Sequence, residues 1–357
     1  ARLYRSRAQP TRVLGGMTDR YAWLDPAPAA RGVMLVAQAG YHLPELDRLR
    51  VALAARRIAA GIVVPVVPWK PLHRFRPTVR RLADTVAQSS RVPTEPVSID
   101  ELLNRTVAVV VMNDWGVPRT LVERARAASV PTFAWVEGVQ DYDDVDTGLE
   151  RRAYRRVDHV FTLGEASRQL LGADRATAIG SERISRLWQA PAGTPSDTVL
   201  VNSNFTYGVR TDARRDWLDG VVAACETEQR PWVLSRHVAE RGRVPYPVSD
   251  RSVDELLTGA GHLVSRFSTV ALDALASGVE LAYHNPHGEQ EPTFSEPMGA
   301  FAVTRSREEL RAVLHEPPRA RDDVRAGAEA FLGHHVLLDS STTAAERAAA
   351  IVADAVG

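Results

Sequence analysis

Short apolar runs alternate with longer amphipathic stretches in the first half of the chain, and this alternation predicts an α/β fold. The apolar runs are rich in valine and about as long as a strand, and the stretches between them repeat their apolar positions with the helical period. Strands separated by helices favour a parallel sheet that is covered on both faces. The predicted strands are Val33–Ala37, Ile62–Val67, Val107–Met112, Thr132–Val136 and His159–Leu163, and the predicted helices are Pro44–Ala60, Pro118–Ala128 and Gly148–Arg156.

The pattern pauses at residues 190–197, whose proline, glycine and serine content is typical of a linker. It then restarts, which predicts two α/β domains over residues 1–190 and 198–340, followed by a helix in residues 341–357. The carboxyl ends of two such sheets would face a central cleft. The second half is predicted to contain strands Thr198–Val201, Trp232–Leu234, His262–Val264, Leu281–His284 and Phe301–Val303, and helices Asp212–Cys225, Val253–Ala260, Thr269–Ser277, Ser306–His315 and Thr342–Val356.

Composition narrows the classes of partner and location. The 357 residues carry 44 basic and 44 acidic side chains, so no net charge draws the chain to nucleic acid. Cys225 is the only cysteine, which excludes an internal disulfide and fits a reducing cytoplasm. No apolar run approaches the roughly 20 residues of a membrane helix, although an arginine-rich surface is compatible with peripheral contact at the inner membrane face. Because the chain begins at Ala1, an upstream segment is left open.

Polar side chains follow successive predicted strands of the second half. Arg236 offers a rigid fork of donors to a phosphate, and His237 offers a donor to a phosphate or a departing oxygen. We expect these side chains to bind a nucleotide donor, the alternatives being an ordinary turn at residues 202–208 and a structural role for His237. The expected donor-binding residues are Asn204, Thr206, Arg236, His237, Ser265, Arg266, Ser268, Thr269, Asp273 and His284.

Ser268 and Thr269 fall where a helix is predicted to begin. The first amides of a helix lack intrahelical partners and its dipole is positive there, so an anion such as a diphosphate is favoured. Asp273 lies one turn further along the same face, where it could orient the Thr269 hydroxyl or reach a ribose. The alternative is that Ser268 or Thr269 only caps the helix.

This order of turns over residues 198–357 resembles the donor-binding half of the GT-B superfamily. The likeness is strongest to bacterial cell-surface polymer transferases, namely the CDP-glycerol and CDP-ribitol phosphotransferases and the capsule sialyl- and Kdo-type transferases. They carry a His-Pro pair after a strand, where this chain has His237 followed by Val238. They also carry a Ser-Ser or Ser-Thr pair and then an acidic residue, which Ser268, Thr269 and Asp273 match. The resemblance implies two Rossmann-like domains facing a central cleft, with His237, Ser268 and Thr269 on the donor's phosphates.

Acidic side chains follow the fourth predicted strand of the first half. Glu137-Gly138 matches part of the acidic-acidic-Gly pattern of the sialyl group. A carboxylate here is suited to act as general base on an acceptor hydroxyl, provided that its surroundings raise its pKa. Glu137 is the first candidate and Asp141 the second, the alternative being that this acidic run is a solvated loop.

Other strand ends of the first half supply candidate acceptor-binding residues: Tyr41, His42, Asn113 and Asp114. Two D-x-D triplets within residues 141–146 match a metal–nucleotide pattern whose usual single-domain context does not suit a chain of two halves, so we expect no metal. No dinucleotide fingerprint or P-loop is present, so no cofactor is expected beyond a nucleotide-sugar or CDP-alcohol donor that serves as substrate.

These observations predict a metal-independent glycosyltransferase that moves a sugar from a nucleotide-activated donor to a hydroxyl of a glycan or similar acceptor. Synthesis of a bacterial cell-surface glycan or glycoconjugate is the expected setting. Three alternatives stay open: a CDP-alcohol phosphotransferase on the same fold, a nucleotide-sugar 2-epimerase, and a non-catalytic protein that binds a nucleotide or sugar.

Overall fold

The computed structural model describes most of the chain in two compact units. The first unit holds the described parts of residues 1–137, 149–179 and 341–357, and the second holds those of 138–148 and 180–340. Candidate residue Asp141 lies outside the described residues. The structure describes residues 19–24, 27–28, 30–66, 94–114, 118–139, 143–144, 149–150, 154–206, 210–237, 240, 242–289, 291–339 and 341–357.

The first unit contains an eight-stranded sheet in the order β10-β9-β6-β5-β2-β3-β1-β4. The strands from β10 to β3 are parallel, and β1 runs antiparallel to β3 and β4. Its elements are β1 Arg20–Trp23, β2 Gly32–Val36, α1 Leu43–Ala55, β3 Ala60–Pro65, β4 Val97–Ser98, α2 Ile99–Leu103, β5 Thr106–Val111, α3 Arg119–Ala127, β6 Thr132–Trp135, β8 Leu149–Glu150, β9 His159–Thr162, α4 Glu165–Leu171, β10 Ala176–Ala178 and α11 Ala344–Val356.

The second unit contains a parallel five-stranded sheet in the order β12-β11-β13-β14-β15. Its elements are β7 Asp143–Asp144, α5 Glu182–Gln189, β11 Val199–Ser203, α6 Arg214–Thr227, β12 Trp232–Arg236, α7 Val253–Thr258, β13 His262–Ser265, α8 Val270–Ala276, β14 Glu280–His284, β15 Ala302–Thr304, α9 Arg307–His315 and α10 Arg321–His335.

Each sheet has its own apolar core, which explains why the valine-rich runs form strands. In the first unit, β2 and β5 are buried along nearly their whole length, and α1 and α11 pack against the same core. In the second unit, Trp217 and Leu218 of α6 pack with Val201 and Val264 of the sheet. Both faces of these strands are covered, as continuous apolar runs require.

Among the parallel strands, the strand order reverses at one point in each sheet. In the first unit the reversal lies between β2 and β5, and in the second unit it lies between β11 and β13. In open parallel sheets, ligands bind outside the carboxyl ends of the strands at such a reversal. The two reversals therefore mark where candidate sites are expected, one in each unit.

The predicted strands and most predicted helices are confirmed to within a few residues, but the helix expected at Gly148–Arg156 is wrong. Leu149–Glu150 is a short strand, and Tyr154 has a left-handed backbone with φ 68°. The buried carboxylate of Asp114 accepts hydrogen bonds from the amides of Tyr154 and Arg156, which a helix would use internally. Tertiary contacts thus override the local pattern there.

Candidate functional sites

Four side chains from three loops meet at the strand reversal of the first unit. The Glu137 carboxylate accepts a hydrogen bond from Asn113 Nδ2 at 2.7 Å and one from Tyr41 Oη at 3.2 Å. His42 Nε2 lies 3.3 Å from Glu137 Oε1. The structure therefore brings the first candidate base together with three of the four residues that the sequence suggested for an acceptor.

The surrounding backbone fixes the direction of the His42 ring. His42 Nδ1 accepts hydrogen bonds from the amides of Gln38 at 3.1 Å and Ala39 at 3.3 Å. The single helical turn Gly40–His42 after β2 brings the His42 ring back to these two amides, and His42 is buried. An Nδ1 that accepts leaves the proton of a neutral imidazole on Nε2, the nitrogen that lies beside Glu137 Oε1. In this arrangement Glu137, rather than His42, is the proton acceptor of the cluster.

The pKa of Glu137 lies below its ordinary value. Burial raises it, but the electrostatic attraction of the neighbouring His42 N–H and the hydrogen bonds from Asn113 and Tyr41 together outweigh burial. The expectation that the surroundings raise this pKa is therefore wrong. Glu137 is therefore a carboxylate at neutral pH, able to accept a proton but a weaker base than a carboxylate of ordinary pKa.

Two further residues support this cluster. Gln38 Nε2 donates to Asn113 Oδ1 at 3.0 Å, which turns the Asn113 amide so that its nitrogen faces Glu137. Sequence reasoning missed Gln38, because a glutamine between two alanines forms no motif; its place directly after β2 was the one available signal. Asp114 binds backbone amides of residues 154–156 instead, so its contacts are those of a positioning residue.

Arg266 lies at the strand reversal of the second unit and is almost fully buried. Its guanidinium lies 4.7 Å from the Phe205 ring and 4.8 Å from the Phe267 ring. Its Nε donates to the Glu289 carboxylate at 2.6 and 2.7 Å, and its Nη1 donates to the Asn204 carbonyl at 2.7 Å. Arg266 thus clamps the loop that carries Glu289 onto the turn after β11, and sequence reasoning did not assign Glu289 to the site.

The turn after β11 is held by side-chain amides and hydroxyls. Asn204 Nδ2 donates to the Phe267 carbonyl at 2.7 Å, and Thr206 Oγ1 donates to Asn204 Oδ1 at 3.3 Å. Both side chains are buried. Asn204 therefore joins the ends of β11 and β13, the two strands that flank the reversal, and Thr206 holds the Asn204 amide in place.

Arg236 contacts the loop that follows its own strand. Its Nη2 donates to the carbonyls of Glu240 and Gly242, and its Nε lies 3.5 Å from the Glu240 carboxylate. That carboxylate also accepts hydrogen bonds from Ser203 Oγ at 2.6 Å and the Phe205 amide at 3.1 Å. The His237 amide donates to the Ser203 carbonyl, so His237 lies at the carboxyl edge between β12 and β11.

Ser268 and Thr269 directly precede α8, as the sequence predicted. Ser268 Oγ accepts a long hydrogen bond from the Val270 amide at 3.4 Å. Thr269 Oγ1 accepts one from the Val139 amide at 2.9 Å, and a Cβ on Gly138 would lie 1.9 Å from that oxygen. Only glycine at 138 allows this approach. Thr269 therefore anchors the segment at Val139.

Three other candidates are tied into the second unit. Asp273 Oδ2 lies 3.1 Å from Arg183 Nη2 of α5, and burial raises the pKa of Asp273 to about 6. The ring of His284 pairs with Thr304 Oγ1 at 2.9 Å, and burial lowers its pKa to about 4. Ser265 Oγ donates to the Arg266 carbonyl. These contacts hold the carboxyl edge of the sheet in place.

The described residues contain no helix that combines the length and apolarity required to span a membrane. Within those same residues, no group of three or more His, Cys, Asp or Glu side chains is arranged to hold a metal ion. The side chains of both D-x-D triplets lie outside the description.

Solved structures of similar fold exist, whereas no protein-family model and no curated protein matches the chain. Methanocaldococcus jannaschii UDP-GlcNAc 2-epimerase is 11% identical with TM-score 0.55, over 90% of this chain and 99% of that one. S. aureus MnaA, solved with UDP, is 12% identical with TM-score 0.57, and the match covers 89% of this chain and 95% of MnaA. The wall teichoic acid polymerase TagF is 10% identical with TM-score 0.50, and the match covers 91% of this chain and 88% of TagF. The chain therefore has the GT-B fold, with two Rossmann-like domains.

Proposed function

We propose that this protein is a GT-B glycosyltransferase that moves a sugar from a nucleotide-activated donor to a hydroxyl acceptor without a metal ion. The synthesis of a bacterial cell-surface glycan is the proposed setting. The observation that carries the proposal is the cluster of Tyr41, His42, Asn113 and Glu137 at the strand reversal of the first unit. A buried histidine and an asparagine there hold a carboxylate in its charged form, as a general base requires.

In the proposed reaction, Glu137 takes the proton of the acceptor hydroxyl. The acceptor oxygen then forms a bond to the anomeric carbon of the donor sugar. The bond between that carbon and the donor's phosphate oxygen breaks, and its electron pair leaves with the nucleotide. Asp141 is kept as the second candidate base.

In the second unit, we assign the donor's phosphates to Ser268, Thr269 and His237. Their hydroxyl and ring N–H groups, with the amides at the start of α8, would stabilise the charge on the leaving nucleotide. Arg266 and Arg236 are assigned to hold the surrounding loops, because most of their donors are taken by protein groups. We propose that four further residues position the elements around this site without contacting the phosphates: Asn204, Thr206, Asp273 and His284.

Donor binding is tested by the thermal shift that CMP, CDP, UDP, GDP, dTDP and ADP produce. A ligand at about 100 times its Kd adds roughly 2.7 kcal/mol of stability. We expect one nucleotide to stabilise the protein and the shift to fall strongly in Ser268→Ala and His237→Ala. Thr227→Ala is the matched control, because Thr227 is an exposed hydroxyl residue at the end of α6, before β12 begins, and therefore lies at the opposite edge of the same sheet. A panel without any stabilising nucleotide would overturn the donor assignment.

The role of Glu137 is tested by transfer from the donor so identified. Glu137→Gln should lower the rate about 100- to 10,000-fold, as expected for loss of a general base, while leaving the nucleotide shift unchanged. Glu123→Gln, an exposed carboxylate of the same unit paired with Arg119, is the control. Unchanged transfer in Glu137→Gln would contradict the assignment.

The pH dependence follows from the lowered pKa of Glu137. The active form is the carboxylate, so activity should persist as pH falls from 7 to 5 and be lost only below the ordinary carboxyl range. Asn113→Leu removes a hydrogen bond to the charged form, so its acid limb should move to higher pH. Rates measured from pH 3.5 to 8 in both proteins check this, and identical acid limbs would contradict it.

A nucleotide-sugar 2-epimerase is the second candidate, favoured by the TM-score of 0.55 to the UDP-GlcNAc 2-epimerase, which exceeds the 0.50 to TagF. In that reaction the acidic residues would perform elimination and re-addition on one bound substrate. Epimerisation at C2 removes and returns a hydrogen, so reaction in D2O would place deuterium at that carbon without any acceptor. Nucleotide release that depends on an added acceptor, with no deuterium at C2, would exclude it.

A further inference from the structure

Residues 203–205, here called the 203–205 turn, join the two places to which we assign the donor's phosphates. The carbonyl of the first residue accepts a hydrogen bond from the His237 amide at 2.9 Å. The second residue, Asn204, donates through Nδ2 to the carbonyl of Phe267, which directly precedes Ser268, at 2.7 Å. All three residues of the turn are buried. The position of His237 relative to Ser268 therefore depends on this turn.

A buried carboxylate from the loop after β12 holds one side of the 203–205 turn. Glu240 Oε2 accepts hydrogen bonds from the Ser203 hydroxyl at 2.6 Å and from the Phe205 amide at 3.1 Å. The other oxygen, Oε1, lies 3.4 Å from Arg214 Nη1 and 3.5 Å from Arg236 Nε. These four groups are all hydrogen-bond donors, so a charged carboxylate suits the place and an amide does not.

A second buried carboxylate, from the loop after β14, holds the other side of the turn. Glu289 accepts hydrogen bonds from Arg266 Nε at 2.6 and 2.7 Å and also from Arg266 Nη2. Arg210 Nε lies 3.6 Å from Glu289 Oε1. Arg266 Nη1 in turn donates to the Asn204 carbonyl at 2.7 Å. Glu289 therefore acts on the 203–205 turn through Arg266.

The two carboxylates have matching surroundings. Each lies between a guanidinium group from residues 210–214, which lead into α6, and one from the carboxyl end of a strand, namely Arg236 in β12 or Arg266 directly after β13. Buried ion pairs add little net stability, because the cost of removing the charges from water offsets their attraction. Two such arrangements around one turn therefore favour a role in fixing its geometry.

We propose that Glu240 and Glu289 are positioning residues of the donor site. They hold the 203–205 turn so that His237 and Ser268 reach the donor's phosphates together, and they do not contact the phosphates themselves. This inference rests on the proposed donor site. It predicts the sign of an effect: by electrostatics alone, removing a negative charge would strengthen the binding of an anion, whereas loss of positioning weakens it.

The variants Glu240→Gln and Glu289→Gln separate these two effects. Glutamine has the length of glutamate, but its amide nitrogen must face a donor at either place, so the turn is released. The probes are inorganic pyrophosphate and the six nucleotides of the thermal-shift panel, titrated by calorimetry into the 357-residue chain. For each probe that the wild type binds, we expect both variants to raise Kd about 10- to 100-fold, the range for loss of a partner that orients a binding group.

Glu228→Gln is the matched control, because Glu228 is also a carboxylate between two basic side chains. It lies 2.8 Å from Arg311 Nε and 2.9 Å from His315 Nδ1. It follows the last residue of α6 and precedes β12, so it lies at the opposite edge of the same sheet. Its removal of one negative charge from the same unit should leave every Kd unchanged.

Ser203→Ala is a milder variant, which removes one hydrogen bond to Glu240 and leaves every charge in place. It should raise Kd in the same direction but by less, and it decides the outcome if the glutamine variants do not fold, which near-UV circular dichroism shows before titration. A wild type that binds none of the probes overturns the donor assignment, and this inference with it. Binding by the wild type, with equal or tighter binding by the folded variants, overturns this inference alone.

Discussion

At the scale of single residues, Asp273 is a carboxyl group that the fold keeps away from water. It is 1% exposed, and Arg183 compensates only part of the cost of burying its charge, so its pKa rises to about 6 from an ordinary value of 3.8. A raised pKa means that folding favours the protonated form. Asp273 therefore stabilises the fold least at neutral pH, where it is charged.

The variant Asp273→Asn keeps the shape and removes the charge. Relative to this variant, the wild type should lose stability as pH rises from about 4 to above 6, amounting to roughly 3 kcal/mol at pH 7.5. Urea unfolding of both proteins at pH 4 and 7.5 measures the difference. Asp250→Asn, at an exposed position, is the control. A variant that is less stable than the wild type at pH 7.5 would contradict the prediction.

The sequence predicted the positions of the candidate residues better than their protonation states and hydrogen-bond partners. The strand ends bearing Tyr41, Asn113 and Glu137 could be predicted from the apolar runs, because carboxyl ends of parallel strands share one edge. The state of each group could not be predicted. The lowered pKa of Glu137 depends on a ring orientation set by two backbone amides, and the partners of Arg266 and Asp273 come from loops and helices distant in the chain.

At the scale of elements, the start of α8 meets the segment at Gly138 and Val139 with almost no spare space. The Thr269 hydroxyl accepts a hydrogen bond from the Val139 amide, and a Cβ on residue 138 would overlap with the hydroxyl oxygen. Gly138→Ala should therefore destabilise the second unit by about 1–3 kcal/mol, because the added methyl must displace one of the two segments. Urea unfolding measures the loss.

Thr269→Ala tests the cause of that loss. Removing the hydroxyl relieves the closest overlap, so the double variant should be less destabilised than the sum of the two single variants. Strictly additive free energies of unfolding would contradict a direct contact between the two positions.

Two arginines of α10 cap the carboxyl ends of neighbouring helices. Arg321 donates to the carbonyls of Leu257, Thr258 and Ala260 after α7 and to that of Ser277 after α8. Arg325 donates to Ala276 in the same way. The last carbonyls of a helix lack intrahelical partners, so the buried guanidinium of Arg321 and the half-buried one of Arg325 make the hydrogen bonds that water would otherwise make.

Arg321→Met keeps much of the buried chain and removes these donors. It should cost about 3 kcal/mol of unfolding free energy, because several buried carbonyls lose their hydrogen bonds at once. Arg307→Met, on an exposed face of α9, should stay within about 0.5 kcal/mol of the wild type. Equal stability of the two variants would show that the caps contribute nothing.

Helices that begin with a recognisable cap could be predicted from the sequence. Ser252 with Glu255 and Thr343 with Glu346 form capping boxes, and the helices that follow them were predicted. Helix α10 was not predicted, because its charged first turn and two interior glycines obscure the helical period. The hydrogen bonds from Arg321 and Arg325 to the ends of α7 and α8 join residues far apart in the chain, so no local pattern indicates them.

At the scale of the molecule, the chain builds two separate cores, and its last helix belongs to the first of them. Ala345, Ala348, Ala349 and Val352 of α11 pack with Leu46, Leu49 and the sheet of the first unit. The core of the second unit contains none of these residues. Changes in α11 should therefore act on one core and spare the other.

Ala348→Glu tests this independence. A carboxylate at a fully buried position should weaken the first unit by several kcal/mol. Hydrogen exchange should accelerate in β2 and β5, while protection in β11 and β13 stays as in the wild type. Faster exchange in all four strands would contradict independent cores, and two-state analysis would then be justified for the whole chain.

The position of α11 also bears on the order in which the chain becomes protected during synthesis. Domains usually fold from the amino terminus as they leave the ribosome. Here residues 180–340 are made, and can close their core, while α1 and its sheet still lack the helix that covers them. The half that is translated first is thus completed last, and until residue 356 emerges its apolar surface is the part of the nascent chain most exposed to chaperones and proteases.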